Sequence, residues 1–173
     1  MKKSVNALTQ DIYDIPEVLD DSKNIKEFLI NNSGKKVIVV QGLGFVGAVM
    51  SLVCANSLQE EYAVIGIDLP NENTYWKIRS INDGVFPIIA DDPKIDEFFQ
   101  ESIKKGNFIA TYDSLAYKHA DVVIVDINLD VKKISEDNRV LNDFDVDLTG
   151  FKSAISSIGE NCKEDVIILV ETT

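Results

Sequence analysis

Residues 36–58 read KVIVVQGLGFVGAVMSLVCANSL and decide the fold that we expect for this chain. Residues 37–40 are consecutive β-branched residues and predict a buried strand. Residues 48–58 are mostly apolar, contain no proline, and predict a helix. The turn between the two elements consists of Gly42, Leu43, Gly44, Phe45, Val46 and Gly47. Strand, turn and helix in this order are the context in which the spacing G-x-G-x-x-G indicates dinucleotide binding.

Each glycine of this turn has a separate expected role. Gly42 allows the tight turn, Gly44 lets a pyrophosphate approach the backbone, and Gly47 lets the helix pack closely on the strand. The helix N-terminus then offers free N–H groups and a partial positive charge to the phosphates. The alternative is a tight strand-to-helix turn without a ligand, which any α/β protein can contain.

An acidic residue at the end of the next strand supports the first interpretation. Residues 62–67, YAVIGI, predict a second buried strand, and Asp68 follows it, 21 positions after Gly47. A carboxylate at this place accepts hydrogen bonds from the adenosine ribose hydroxyls and repels a 2′-phosphate. The sequence therefore predicts NAD rather than NADP as the cofactor. The alternative for Asp68 is an N-cap of the following helix.

The composition is that of a globular domain and excludes several classes of function. The chain has 173 residues, of which 45% are hydrophobic and 27% charged, and its net charge is −12. This charge argues against a nucleic-acid or anionic-membrane surface, because both require clustered Lys and Arg. Cys54 and Cys162 have neither metal-site nor redox spacing. We recognise no targeting segment and no membrane-length apolar run, and expect a cytoplasmic protein.

Strands and helices alternate along the rest of the chain. Residues 1–35 are expected to form an N-terminal helical extension, and residues 36–173 a Rossmann-like domain. We predict strands at residues 37–40, 62–67, 107–111, 120–127 and 166–170, and helices at 22–31, 48–58, 75–81, 94–105, a short one ending near 119, and 149–162. Residues 128–148 are expected to be irregular. This alternation predicts an α/β fold, a doubly wound parallel sheet of order 3-2-1-4-5 with helices on both faces.

Five short motifs occur in a fixed order over the second part of the chain. They are GLGFVG at 42–47, INDGVFPI at 81–88, ATYD at 110–113, ADVVI at 120–124 and VETT at 170–173. Together they make residues 36–173 resemble the N-terminal NAD-binding domain of the UDP-glucose/GDP-mannose dehydrogenase family. These nucleotide-sugar dehydrogenases oxidise the C6 alcohol of a sugar to a uronic acid with two NAD.

The resemblance implies roles for four residues. Val46 and its turn contact the pyrophosphate, Asp68 holds the adenosine ribose, Lys77 approaches the cofactor, and Thr111 hydrogen-bonds to it. The alternative for Lys77 is a solvated helix lysine, and for Thr111 a strand-end hydroxyl that caps the next turn. Leu129 stands where the family has a threonine near the reacting centre.

The resemblance also implies that this chain is a fragment of a longer enzyme. The family's catalytic residues and sugar-binding domain follow the matched region, so no catalytic residue and no metal site is assigned here. The implied partners are a nucleotide-sugar substrate and further copies of the full-length enzyme. Asp126 and Asp130, at the end of the fourth strand, are candidates for the nicotinamide side. A 3-hydroxyacid-type dehydrogenase domain and a non-catalytic nucleotide-binding module are the alternatives.

Overall fold

The computed structural model describes residues 2–129, 131–135 and 141–171. Asp130 and the last two residues of the VETT motif lie outside these ranges. The nine strands among the described residues are β1 (Lys3–Val5), β2 (Ile12–Asp14), β3 (Lys36–Gln41), β4 (Tyr62–Ile67), β5 (Phe108–Thr111), β6 (Val122–Val125), β7 (Val131–Ser135), β8 (Leu141–Val146) and β9 (Ile167–Val170). The α-helices there are α1 (Ser22–Asn31), α2 (Phe45–Ala55), α3 (Tyr75–Asn82), α4 (Pro93–Lys105) and α5 (Thr149–Asn161), and a 3₁₀ helix covers Ser114–His119.

Five parallel strands form the central sheet, in the order β5-β4-β3-β6-β9. Counted within the sheet, this is the order 3-2-1-4-5. The predicted α/β doubly wound class is confirmed, and β3 lies at the centre of the sheet. From β3 the chain continues to β4 and β5 on one side of the sheet and then crosses to β6 on the other side. The carboxyl end of β3 is therefore a topological switch point. Open α/β sheets bind ligands at such a point.

Helices cover both faces of the sheet, and each face has its own apolar core. One core joins α2, α3 and α4 to the sheet, with Leu52, Ile78 and Phe99 almost fully buried. The other joins α1, the 3₁₀ helix and α5 to the opposite face, with Ile25 and Ile158 completely buried. The central strands are buried on both faces, which explains their continuous runs of Val and Ile.

The N-terminal segment contains more than the expected helix. The predicted helix at residues 22–31 is confirmed as α1, but β1 and β2 precede it as an antiparallel hairpin. The Ser4 hydroxyl ties this hairpin to α3, because it accepts the N–H of Trp76 at 3.0 Å and donates to the carbonyl of Glu72 at 2.8 Å. Ile15, just after β2, is buried in the core beneath α3. These strands have three residues each, too short to show a clear alternation.

The prediction that residues 128–148 are irregular was wrong. Strands β7 and β8 pair antiparallel within this range, with Val131 opposite Val146 and Ile134 opposite Asp143. Backbone pairing here overrides a sequence rich in Asp and Asn, residues that are depleted in strands. None of the helices in the described ranges is long and apolar enough to cross a bilayer.

Candidate functional site

A cavity of about 730 Å³ lies at the carboxyl ends of the central strands. Its walls come from the β3–α2 turn, from the residues after β4, β5 and β6, and from the first turns of α5. The sequence-predicted residues Gly42, Gly44, Phe45, Val46, Asp68 and Lys77 all line it. The cavity thus joins the glycine turn and the acidic strand end, which are far apart in sequence, in one site.

The glycine turn brings backbone segments closer than any side chain would allow. Gly42 has a φ of +101°, and a Cβ there would lie 2.2 Å from the carbonyl oxygen of Asp126. A Cβ on Gly47 would lie 1.9 Å from the carbonyl oxygen of Gly42. By contrast, a Cβ on Gly44 would meet no atom within 4 Å. Gly42 and Gly47 therefore serve the packing of the turn, whereas Gly44 leaves space in the cavity.

Leu43 lies in the same turn but does not line the cavity. Its side chain is fully buried and packs over Gly66 in β4, where a Cβ would lie 2.6 Å from its Cδ2 atom. Phe45 and Val46, which follow it, are more than half exposed. The sequence signal for this packing was Gly66 itself, since an isolated glycine in a strand marks a close approach.

Asp68 is held in a fixed orientation by two backbone groups. Its Oδ2 atom accepts the N–H of Leu43 at 3.1 Å, and its Oδ1 atom accepts the N–H of Leu69 at 2.7 Å. Burial raises the pKa of the carboxyl, while these hydrogen bonds and the charge of Lys77 act in the opposite direction. Each carboxylate oxygen has a further lone pair, so a ligand hydroxyl can still be bound.

Thr111 lies next to the site but not in the cavity wall. Its side chain is fully buried, and its hydroxyl donates to Asp21 Oδ2 at 2.6 Å. The Thr111 hydroxyl oxygen in turn accepts the N–H of Asp113 at 3.2 Å. In this structure the hydroxyl caps the turn after β5, which was the alternative to the role that the resemblance implies.

Two tyrosines that the sequence interpretation did not single out line the cavity. Burial raises the pKa of the Tyr112 phenol to about 12, and the Asp21 carboxylate acts in the same direction. Burial also raises the pKa of Tyr117, whose hydroxyl donates to the side-chain oxygen of Gln41. Both phenols are therefore neutral at physiological pH. The short helix that carries Tyr117 was predicted, but its placement beside the cavity depends on contacts far apart in sequence, such as that with Gln41.

Asp126 directly follows β6 and lies on the side of the glycine turn opposite to Asp68. Among the described residues, its Oδ2 atom is buried without a hydrogen-bond partner. Burial raises the pKa of this carboxyl, and the charge of Glu171 raises it further. Buried polar atoms are almost always paired in native proteins. An unpaired oxygen in the cavity wall is therefore a candidate contact for a bound group.

Metal binding is not supported in the part of the chain that is described. No group of three or more His, Cys, Asp or Glu side chains there could hold an ion. His119 lies just before β6, at the amino end of that strand, whereas the cavity lies at the carboxyl ends. Burial lowers the pKa of this imidazole, and the charge of Lys118 lowers it further.

Solved structures of nucleotide-sugar dehydrogenases share this architecture. An NDP-N-acetyl-D-galactosaminuronic acid dehydrogenase from Methanosarcina mazei Go1 matches 86% of this chain with a TM-score of 0.65 and 23% identity. A GDP-mannose dehydrogenase from Pseudomonas aeruginosa and a UDP-D-ManNAc dehydrogenase from Pyrococcus horikoshii each match 79% of it at 26% identity, with TM-scores of 0.59 and 0.61. The chain spans 28% to 30% of the length of these three chains. No curated protein matches it in sequence.

The sequence itself matches a family model over most of its length. That model describes the NAD-binding domain of UDP-glucose/GDP-mannose dehydrogenases, and the match covers residues 35–173. It begins at the residue before β3 and contains the glycine turn, Asp68 and Asp126. The chain therefore belongs to the UDP-glucose/GDP-mannose dehydrogenase family, of which it carries the NAD-binding domain.

Proposed function

We propose that this chain binds NAD for the oxidation of a nucleotide sugar at C6 by the intact enzyme. The observation that carries the proposal is the pairing of Gly44 and Asp68 in one cavity. Gly44 leaves open space beside the N-terminus of α2, and Asp68 is fixed at the adjacent strand end. The residues present thus fit a dinucleotide, whose nicotinamide would accept the hydride.

The glycine turn is suited to the diphosphate. Gly44 is the N-cap of α2, no side chain caps this end, and the first turn contains no acidic residue. The free N–H groups and the helix dipole are therefore available to an anion. Because the exposed turn residues are apolar, the backbone rather than a lysine cluster would neutralise the phosphates. This accounts for binding of an anion by a chain of net charge −12.

We infer from the order of the strands that the two halves of the cofactor would lie at opposite ends of the cavity. Asp68 follows β4 and would hold the adenosine ribose. The adenine would then lie towards β5, beside Tyr112 and Ser114. The nicotinamide would lie on the other side of the turn, towards β6, where Asp126 and Ile127 line the cavity.

Asp68 should make this chain selective for NAD over NADP. We expect NADP to bind about 10-fold more weakly or worse, since a charge–charge contact in a partly buried site costs more than 1 kcal/mol. Asp68→Asn removes the charge and keeps an acceptor oxygen for one of the two backbone N–H groups. This variant should reduce the difference between the affinities for NAD and NADP, and Asp68→Ala should reduce it too. Calorimetric titration with both cofactors measures the effect. Equal affinities in the unaltered chain would refute the assignment of Asp68.

We also propose that this chain alone does not oxidise nucleotide sugars. Hydride transfer requires the alcohol to be held beside the nicotinamide and a base within hydrogen-bond reach. Leu129 offers no hydroxyl where the family has a threonine, and His119 lies at the amino end of β6. We propose that the nucleophile, the base and the sugar site belong to further parts of the enzyme, beyond residue 173.

An NADH absorbance assay tests this absence of turnover. With UDP-glucose, UDP-N-acetylmannosamine or GDP-mannose as substrate, the signal should stay flat. Two controls are needed: calorimetry showing that the same sample binds NAD, and a complete nucleotide-sugar dehydrogenase that gives a signal in the same buffer. Steady NADH production by this chain would mean that its own residues, with Asp126 the first candidate, carry out the chemistry.

A further inference from the structure

A closed ring of three hydrogen bonds joins the N-terminal segment to the end of β5. The backbone N–H of Asp21 donates to Asp113 Oδ2 at 2.9 Å. The backbone N–H of Asp113 donates to Thr111 Oγ1 at 3.2 Å, and the Thr111 hydroxyl donates to Asp21 Oδ2 at 2.6 Å. Every member of the ring is thus both a donor and an acceptor. The remaining oxygen of Asp113 accepts the N–H of Leu115 and begins the 3₁₀ helix.

Two residues of the ring, Thr111 and Asp113, flank a residue of the cavity wall in the sequence. Tyr112 lies between Thr111 and Asp113, so the ring constrains the backbone on both sides of it. Its ring centroid lies 5.9 Å from that of Tyr75, at an interplanar angle of 53°. Tyr112 and Ser114 line the cavity on the β5 side of Asp68. A change at Asp21 would therefore alter the wall beside the proposed adenine position without touching the cavity.

The segment that supplies Asp21 is packed against the domain although the family match excludes it. The match begins at residue 35. Before that point, Ser4 makes hydrogen bonds with Trp76 in α3 and with Glu72 just before it. Ile15 is buried in the core, and the Tyr13 ring centroid lies 5.9 Å from the guanidinium carbon of Arg79. These contacts hold the segment in place independently of the ring. Asp21 itself is the N-cap of α1, whose Ile25 is completely buried, so it is held in place next to the end of β5.

We propose that Asp21 is a positioning residue for the adenosine half of the cofactor. Residues 2–21, which lie outside the family match, hold the β5 end in the conformation that presents Tyr112 to the adenine. Thr111 then acts through Asp21 and not through a contact of its own with the cofactor. The inference rests on the proposed function, since it requires that NAD occupies the cavity.

Four variants test the inference by calorimetry at a temperature where each is folded. Asp21→Ala should raise the dissociation constant for NAD about fivefold or more, a usual size for coupling between adjacent groups. Thr111→Val removes this hydrogen bond and also the acceptor of the Asp113 N–H, at nearly constant volume, and should weaken NAD binding at least as much. Asp21→Asn retains an acceptor and should stay within about twofold of the unaltered chain. Asp14→Ala, an exposed acid of the same segment, is the matched control and should change nothing.

A second ligand tests whether the effect of Asp21→Ala lies on the adenosine side of the cofactor. ADP-ribose lacks the nicotinamide. Asp21→Ala should raise its dissociation constant by the same factor as that of NAD, because the altered wall lies on the adenosine side. A double variant of Asp21→Ala and Thr111→Val should bind no more weakly than Thr111→Val alone, because that variant already lacks the hydrogen bond that Asp21→Ala removes. Rescue by Asp21→Asn is a result that mere destabilisation would not give.

The possible outcomes distinguish this inference from the proposed function. If the unaltered chain binds neither NAD nor ADP-ribose, the proposed function fails. If it binds both and Asp21→Ala behaves like Asp14→Ala, the inference fails and the proposed function stands. Weaker binding by Thr111→Val alone would show that Thr111 contacts the cofactor directly, and this too would overturn the inference. Should Asp21→Ala not fold, Asp21→Val takes its place, because it also lacks an acceptor but keeps more of the side-chain volume. Weaker NAD binding by this variant supports the inference, and binding like that of Asp14→Ala overturns it.

Discussion

Gly44→Val is expected to abolish NAD binding while the fold survives. A Cβ on Gly44 meets no protein atom within 4 Å, so the two γ-methyl groups would project into the cavity. They would fill the space in which a diphosphate reaches the N-terminus of α2. We expect a loss of affinity of about 100-fold or more, equivalent to at least about 2.7 kcal/mol.

The backbone at Gly44 tolerates the side chain. Its φ and ψ are −69° and −169°, an extended conformation that any residue adopts. The cost to the fold is that of a poorer N-cap, about 1 kcal/mol. Calorimetry with NAD measures the binding, and thermal unfolding with far-UV circular dichroism measures the fold. Gly44→Ala serves as a graded control and should give an intermediate affinity. Unchanged NAD affinity in a folded Gly44→Val variant would show that the turn is purely structural.

The central sheet could be predicted because its elements are specified locally. The runs at β3 and β4 are β-branched and flanked by turn residues, and β4 was predicted with the observed bounds. Helix α4 has Pro93 at its first position, and a C-capping Gly106 with a φ of +61°. Asp92 caps its start with an acceptor for the N–H of Lys94. Such signals act within a few residues, so one sequence is enough to detect them.

The contacts that complete the site depend on residues far apart in sequence. Asp21 and Thr111 are 90 positions apart, and neither carries a local signal that it pairs with the other. The sequence suggested that Thr111 either binds the cofactor or caps the next turn, and neither role indicates a hydrogen bond to Asp21. Likewise, the hydroxyl of Tyr117 donates a hydrogen bond to Gln41, 76 positions away in the sequence. Periodicity and turn chemistry cannot predict such pairs, because they describe neighbours along the chain.

Gly47→Ala should have the opposite outcome to Gly44→Val, although both change a glycine of one turn. A Cβ on Gly47 would lie 1.9 Å from the carbonyl oxygen of Gly42 and 3.1 Å from its carbon. Both atoms are backbone, so no side chain can rotate away. Helix α2 would have to move off β3, and Leu52 and Ala48 would lose their packing in the core. We expect a loss of about 3 kcal/mol or more in the free energy of unfolding.

A second helical glycine provides the matched control. Gly159 lies in α5, and a Cβ there would meet nothing within 4 Å. Gly159→Ala should therefore stabilise the protein by about 0.5 to 1 kcal/mol, through the helix propensity of alanine. Urea unfolding of both variants and of the unaltered chain gives two changes in the free energy of unfolding, which should have opposite signs. If Gly47→Ala were as stable as Gly159→Ala, α2 would not approach the turn as closely as the structure shows. The assignment of Gly47 to packing and Gly44 to the ligand would then have no structural basis.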